Sequence, residues 1–238
     1  MDTIGDLWTQ VTTPQAPPTT SVVVLTGVAA LVCLVVPWLW HLTRHGLTIL
    51  HEAAHGGVAV LVGRRLTGIR VHSDTSGLTV SVGKPRGPGM VFTLLAGYIG
   101  PAAVGLGAAW LLSRGYPTAV LWLLLVVLAL VLVQIRNWYG LWAVLVSTAV
   151  LVAVTWWGSD EVRSTFAHAL TWFLLLGAPR AVLEMQQQRR RRRGPSDTSD
   201  AGQLARITHV PAGVWVAVFL LVCLGALALG GGWLLAVL

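Results

Sequence analysis

The stretch "GLTILHEAAHGGVAVLVG", residues 46–63, places three ionisable side chains inside an otherwise apolar run. His51 and His55 are four residues apart, so both lie on one face of a helix, with Glu52 about 100° round from His51. This His-Glu-x-x-His spacing is typical of helices that share a zinc ion between two imidazoles and use the glutamate on a bound water. The alternative is a histidine pair hydrogen-bonded by neighbouring helices. Ionisable groups are costly within an apolar helix, which favours the metal site.

The composition predicts a membrane protein. Of 238 residues, 55% are hydrophobic and 11% are charged, against roughly 25% charged in soluble proteins. A bilayer core takes about 20 apolar helical residues to cross, and six long apolar runs have that length: 21–42, 90–113, 118–135, 139–157, 163–183 and 211–236. The run at 46–63 is a seventh, shorter candidate. We therefore predict an all-α polytopic membrane protein with six to seven transmembrane helices.

One segment between the spans has the pattern of a β-hairpin. Residues 66–82, "LTGIRVHSDTSGLTVSV", alternate apolar and polar positions on both sides of a Ser-Asp-Thr-Ser-Gly turn. It lies directly after the His-Glu-x-x-His run. The predicted organisation is a flexible N-terminal tail, a membrane core that contains the hairpin, a basic cytoplasmic loop and a C-terminal transmembrane helix, at residues 1–20, 21–184, 185–210 and 211–238. The tail has neither the basic start nor the cleavage site of a signal peptide, so we expect it to be retained.

The distribution of positive charge predicts the orientation. Thirteen of the sixteen lysine and arginine residues fall in 64–89, around 136, and in 180–210. The positive-inside rule makes these loops cytoplasmic. The run Arg189 to Arg193 is expected to contact anionic lipid headgroups. In a protein of this hydropathy, the same charge does not indicate nucleic-acid binding.

A catalytic zinc usually has a third protein ligand and an open position for water. His51 and His55 lie eight to twelve residues before Gly63, hence roughly 12–18 Å deep at 1.5 Å per residue. Only a carboxylate at the end of a neighbouring span reaches that depth easily. On the basic side the candidates are Asp74, Glu184, Asp197 and Asp200. Of these, Glu184 closes the span "TWFLLLGAPRAVLE" and fits best.

The chain resembles the site-2 protease family of intramembrane zinc metalloproteases, specifically its small bacterial branch without a PDZ domain. In that family the His-Glu-x-x-His helix precedes a cytoplasmic-side hairpin, and a later helix supplies an aspartate ligand from a Pro-x-x-x-x-Asp-Gly pattern. Here "PRAVLEM" has Pro179 and Glu184 at the matching spacing. It departs from the pattern because Glu replaces Asp, Met185 replaces Gly, and Leu176 replaces the usual Asn.

A second segment offers another third ligand. "SDTSDAGQLARIT" is similar to a Ser-Asp-Ala motif of a divergent branch of the same family, which makes Asp200 the alternative ligand if this loop folds back into the membrane. Helix capping by Ser199 and Asp200 explains the same residues. The resemblance thus implies zinc held by His51, His55 and either Glu184 or Asp200.

The resemblance implies an intramembrane zinc metalloendopeptidase. Such an enzyme hydrolyses peptide bonds in or near transmembrane segments by a zinc-activated water, with Glu52 as general base. Its partner would be a transmembrane protein or peptide substrate. The first rival is a non-catalytic member that binds transmembrane partners without cutting them. A zinc-transport protein is disfavoured because Glu52 stands between the two histidines and no further metal-ligating repeat follows along the spans.

Overall fold

The computed structural model describes residues 4–191 and 197–236 of the chain. Its elements in chain order are α1 (Ile4–Thr12), α2 (Thr20–Val35), α3 (Pro37–Leu61), β1 (Arg65–Val71), β2 (Gly77–Val82), α4 (Pro88–Ser113), α5 (Pro117–Gln134), α6 (Trp138–Trp157), α7 (Asp160–Arg191), α8 (Asp200–Thr208) and α9 (Ala212–Ala236). The predicted fold class, an all-α polytopic membrane protein with one small hairpin, is confirmed.

Among the described residues, five helices are long and apolar enough to cross a membrane, namely α4, α5, α6, α7 and α9. Helices α2 and α3 pass the same test only as a pair, bent by 104°. The bend lies at Val36, which has φ −79° and ψ 116°. A residue before proline is pushed out of the helical region by the proline ring, and Pro37 imposes this on Val36.

The bend corrects two predicted boundaries. The apolar run 21–42 is not one straight helix, because residues from Pro37 onward begin the helix that carries the His-Glu-x-x-His motif. The run 46–63 is therefore no separate seventh span. Counting the bent pair as one broken span gives six, the lower of the two predicted numbers.

The N-terminal segment, predicted as a flexible tail over residues 1–20, contacts the helical bundle where it is described. It contains α1, and the Gln15 backbone N–H donates to the carbonyl of Gly115 at 2.7 Å. The Gln15 side chain also donates to the Thr118 hydroxyl at 2.9 Å. Residues 1–3 lie outside the described part of the chain. These contacts place α1 beside the start of α5, at the end of the bundle opposite the basic loops.

Helix α4 is the centre of the bundle and packs against α3, α7 and α9. The hairpin predicted at 66–82 is confirmed, with β1 starting one residue earlier, at Arg65. Its strands are antiparallel, and Ile69 pairs with Thr79. Both strands lie along α3. Because the hairpin runs back along α3, its turn reaches the first half of that helix, where Thr48 donates to the Thr75 carbonyl at 2.9 Å.

The linker between α5 and α6 covers one edge of the hairpin. Ile135 forms a parallel bridge with Ile69, and the Arg136 N–H donates to the Ile69 carbonyl at 2.8 Å. The Asn137 side-chain amide then donates to the Val71 carbonyl at 2.7 Å and accepts from the Val71 N–H at 3.2 Å. Both polar groups of Val71 are satisfied by one side chain. The outer edge of β2 is thus the edge of the hairpin that this linker leaves open.

The basic segment after residue 184 is largely helical where it is described. Helix α7 continues to Arg191, and α8 follows at Asp200. The segment predicted as the basic cytoplasmic loop, 185–210, thus contains the end of α7 and all of α8. The sequence "EMQQQRRR" consists of good helix formers, and arginines in a last turn interact favourably with the helix dipole. Arg192 and Arg193, part of the predicted lipid-contacting run, lie outside the described residues.

We predict that Asn137→Ala destabilises the protein by about 1–3 kcal/mol, because Val71 then has a buried donor and acceptor without a partner. Thermal unfolding in detergent measures the change. Gln187→Ala is the control, since it removes an exposed side-chain amide from α7. Equal melting temperatures for the two variants would contradict the bridging role of Asn137.

Candidate metal centre

The two histidines of the motif meet on one face of α3. Their ring centroids are 4.6 Å apart and their Nε2 atoms are 3.0 Å apart. Both sequence-predicted ligand atoms therefore point at the same place. The four-residue spacing causes this, because side chains four apart on a helix lie one above the other.

The backbone of α4 orients His55. The Nδ1 atom of His55 lies 2.7 Å from the Thr93 carbonyl. A carbonyl only accepts, so Nδ1 of His55 carries a proton, and Nε2 is the ring atom that faces His51. Hydrogen bonds of this kind fix the tautomer and ring orientation of metal-binding histidines.

Helix α4 also shapes the space around the two imidazoles. A Cβ atom at Gly97 would overlap both rings, so only glycine fits at this position. The next residue, Tyr98, packs edge-on against His51 with ring centroids 4.6 Å apart, and Phe219 of α9 packs on Tyr98. The histidine pair is held in a close-fitting cradle of α4.

Asp200 completes a group of three potential ligands. Its Oδ2 atom lies 3.4 Å from His51 Nε2 and 3.3 Å from His55 Nε2. Ligand atoms bonded to a tetrahedral zinc at roughly 2.0–2.2 Å are about 3.3 Å from one another. The three atoms lie within 4.8 Å of one another, and their pairwise distances match a shared divalent metal. The donor set, two imidazoles and a carboxylate, suits zinc.

The environment keeps Asp200 ionised. Burial alone raises the pKa of this carboxyl group, but the charge of His55 and hydrogen bonds from both histidines lower it more. The resulting pKa lies well below the usual range of an aspartate. Asp200 is thus ready to bind a cation without first losing a proton.

Glu52 lies beside the histidines under the hairpin and is 4% exposed. The Thr79 hydroxyl donates to Glu52 Oε2 at 2.6 Å. A Cβ atom at residue 77 would overlap the Glu52 carboxylate, so a larger residue there would displace the Glu52 side chain. Both histidines, Glu52 and Asp200 line one cavity of about 560 Å³ between α3, the hairpin, α4, α7 and α8.

The structure does not bring Glu184 to the histidines. Trp40 Nε1 donates to Glu184 Oε1 at 2.6 Å, and Arg44 Nε lies 3.4 Å from Glu184 Oε2. Arg180, one turn earlier on α7, lies 3.4 Å from the same carboxylate. The depth argument from the sequence selected Glu184 because it closes a span, but its partners in the structure are other residues. These donors instead direct its carboxylate to the first turns of α3.

The turn before α8 explains how Asp200 reaches the centre. Arg189 Nε, in the last turn of α7, donates to Asp197 Oδ2 at 2.6 Å. The Ser199 hydroxyl donates to Asp197 Oδ1 at 2.6 Å and accepts from the Gly202 N–H at 3.2 Å, which caps α8. We call Arg189, Asp197 and Ser199 the α7–α8 clamp. It joins the last turn of one helix to the first turn of the next, where Asp200 lies.

The clamp also gives one arginine of the basic run a partner within the protein. The guanidinium of Arg189 binds Asp197, while Arg190 and Arg191 are exposed. Burial raises the pKa of Asp197, but hydrogen bonds from Ser199 and Arg189 lower it more, to a value below the ordinary one. The carboxylate is therefore charged at neutral pH, and the ion pair with Arg189 is intact.

Several residues at this centre were missed in the sequence. Thr79, Thr93 and Tyr98 have no recognisable signal, because each acts through a contact between elements far apart in the chain. The clamp had a partial signal, since Asp197 and Ser199 are spaced for a turn in which an aspartate accepts from the backbone two residues on. The Ser199 N–H donates to Asp197 Oδ1 in this way, at 3.1 Å.

Comparison with known families gives one result. The family model described as peptidase M50B-like matches residues 24–230. No match was found among curated proteins or among solved structures. The matched range contains most of α2, all of α3 and the hairpin, and the four candidate residues His51, Glu52, His55 and Asp200.

We predict that Asp200→Asn loses most of its bound zinc, because an amide binds a divalent cation far more weakly than a carboxylate does. Glu184→Gln, the matched change at the other candidate ligand, retains its zinc. Metal analysis of the purified variants measures both. Retention by Asp200→Asn together with loss from Glu184→Gln would assign the third ligand to Glu184.

We also predict that Arg189→Gln weakens zinc binding by about tenfold, the scale of effect seen when groups that orient metal ligands are removed. The reason is that Asp197 loses its charged partner and holds the start of α8 less firmly. Titration with a competing chelator measures the affinity. Arg190→Gln, which removes the same charge from an exposed neighbour, should leave the affinity unchanged, and equal weakening by both variants would exclude the clamp.

Proposed function

Because the chain belongs to the peptidase M50B-like family, we propose that it is an intramembrane zinc metalloendopeptidase. Its reaction is hydrolysis of peptide bonds in or near transmembrane segments. The observation that carries the proposal is the convergence of His51, His55 and Asp200 at mutual distances of 3.0–3.4 Å. Glu52, a carboxylate suited to proton transfer, lines the same cavity.

His51, His55 and Asp200 would hold the zinc, and Glu184 is the ligand that we set aside. When bound with an open position, zinc acts as a Lewis acid and lowers the pKa of water at that position to about 7. The Thr93 carbonyl fixes the orientation of the His55 ring for metal binding, and the clamp holds the start of α8, where Asp200 lies.

Glu52 is the general base in this proposal. Its carboxylate takes a proton from the attacking water and later delivers a proton to the leaving amine. The hydrogen bond from Thr79 holds Oε2, so the remaining oxygen, Oε1, is available for the proton.

The substrate that fits this site is an extended peptide. A transmembrane helix hides its carbonyls in hydrogen bonds, so a substrate must unwind locally before it is cut. The hairpin offers a place for the unwound segment, since the α5–α6 linker covers the edge of β1 and leaves the outer edge of β2 open. Pairing with β2 would add the substrate as a further strand beside Glu52.

We place the enzyme in a bacterial plasma membrane with its basic loops in the cytoplasm. In the sequence, thirteen of the sixteen lysine and arginine residues fall in 64–89, around 136 and in 180–210, and this asymmetry supports the orientation. Arg190 and Arg191 are exposed there. In this position they would contact anionic lipid headgroups.

We predict that Glu52→Gln binds zinc like the wild type and loses cleavage by at least about 100-fold, the lower range for removal of a general base. The measurement uses both proteins purified in detergent, metal analysis, and cleavage of transmembrane peptides detected by mass spectrometry. Glutamine preserves the shape of the side chain and its contact with Thr79. The comparison therefore tests the proton transfer alone.

Two other results would each decide against the enzyme. Bound zinc with no cleavage that depends on Glu52, across a panel of transmembrane peptides, would favour a non-catalytic protein that binds membrane partners. Absence of zinc from the wild type, even after incubation with the metal, would contradict the metallopeptidase.

A further inference from the structure

We propose that Arg44 and Glu184 are positioning residues, which tether the turn of the hairpin through Thr75 and thereby hold β2 in place beside Glu52. We call Arg44, Thr75 and Glu184 the turn tether. This inference rests on the proposed function for its kinetic consequence, although the tether itself is a structural feature. It gives Glu184 a role other than metal ligand.

The turn has a conformation that needs support. Thr75 has φ +67°, in the left-handed region where a β-branched residue is strained. Despite lying in a turn it is 2% exposed. Strained residues of this kind persist where surrounding contacts over-determine them. Thr75 has two such contacts, both from α3.

Arg44 supplies one of these contacts. Its Nη1 atom donates to the Thr75 hydroxyl at 2.7 Å. The second comes from the Thr48 hydroxyl, one turn further along α3, which donates to the Thr75 carbonyl at 2.9 Å. The turn is thus fixed to α3 by one charged donor and one neutral donor. A charged donor makes the stronger hydrogen bond of the two.

Glu184 holds Arg44 in turn. The Arg44 Nε atom lies 3.4 Å from Glu184 Oε2, and the side chains of the pair are 25% and 21% exposed. Trp40 donates to the other oxygen of Glu184 at 2.6 Å, and the Arg180 guanidinium stacks on the Trp40 ring at 4.5 Å. Arg180 also donates to the Leu34 carbonyl at the end of α2. Glu184 is therefore fixed by groups on α3 and α7, and the tether is anchored in the bundle.

The tether ends close to the proposed general base. Gly77, two residues after Thr75, lies against the Glu52 carboxylate, and Thr79 donates to it. A turn released from Arg44 would let this half of the hairpin move, and with it the strand beside the reacting bond. Substrate would then have to order the hairpin as it binds. This cost raises KM, while kcat, which starts from the ordered complex, changes less.

The test compares Thr75→Val with Thr75→Ser. Valine keeps the branched shape and the strained φ but removes the hydroxyl that accepts from Arg44, whereas serine retains that hydroxyl. We expect Thr75→Val to speed hydrogen exchange of the backbone amides at 77–82 by about tenfold and to raise KM by a similar factor. Thr75→Ser should resemble the wild type. Glu184→Gln should change exchange and KM in the same direction as Thr75→Val, with zinc content unaltered.

Three results would overturn the tether: wild-type exchange in Thr75→Val, equal changes in the valine and serine variants, or loss of zinc from Glu184→Gln. Hydrogen exchange needs no activity, so it decides this proposal even if no peptide is cleaved. Conversely, cleavage that depends on Glu52, with no change in exchange, would support the proposed function and reject the tether.

Discussion

The position of His51, Glu52 and His55 among apolar helices, with Glu52 and His55 buried and His51 partly buried, is the constraint on which the rest of this structure depends. Charged groups at such positions cost several kcal/mol each unless they are paired or bind a metal. The fold meets this cost with groups brought from outside the spans. Asp200 arrives from the segment after α7, and Thr79 arrives on the hairpin. The hairpin and the segment after α7 thus each contribute a side chain that contacts this group of three residues.

Much of this arrangement could be predicted because it depends on short-range patterns in the sequence. The His-Glu-x-x-His spacing places both imidazoles on one helical face, alternation marks the hairpin, and hydropathy marks most spans. The bend at Val36 had a local signal as well, in the proline that follows it. Hydropathy does not reveal the bend, because the apolar run 21–42 extends past Pro37 and a hydropathy average cannot distinguish a straight helix from a broken one.

The third carboxylate could not be chosen from the sequence because the choice depends on contacts between distant segments. Glu184 had the better spacing and depth, whereas Asp200 appeared to lie in a polar loop. In the structure the Glu184 carboxylate contacts Trp40 and Arg44. The clamp holds the start of α8, so that Asp200 lies beside the histidines. The position of each carboxylate along the chain therefore did not indicate which one lies beside the histidines. Which partner satisfies a buried charge is decided by tertiary packing, not by local pattern.

Helix α7 emerges as the element that connects the two halves of the centre. Through Glu184 it holds Arg44 and the turn of the hairpin, which leads to Glu52. Through Arg189, five residues or about 7.5 Å further along the helix, it holds Asp197 and so the start of α8, which leads to Asp200. The general base and the third ligand of the proposed enzyme are therefore both held in position by contacts to one helix, α7. A shift of α7 would alter both together, whereas loss of one side chain would disturb only one half of the centre.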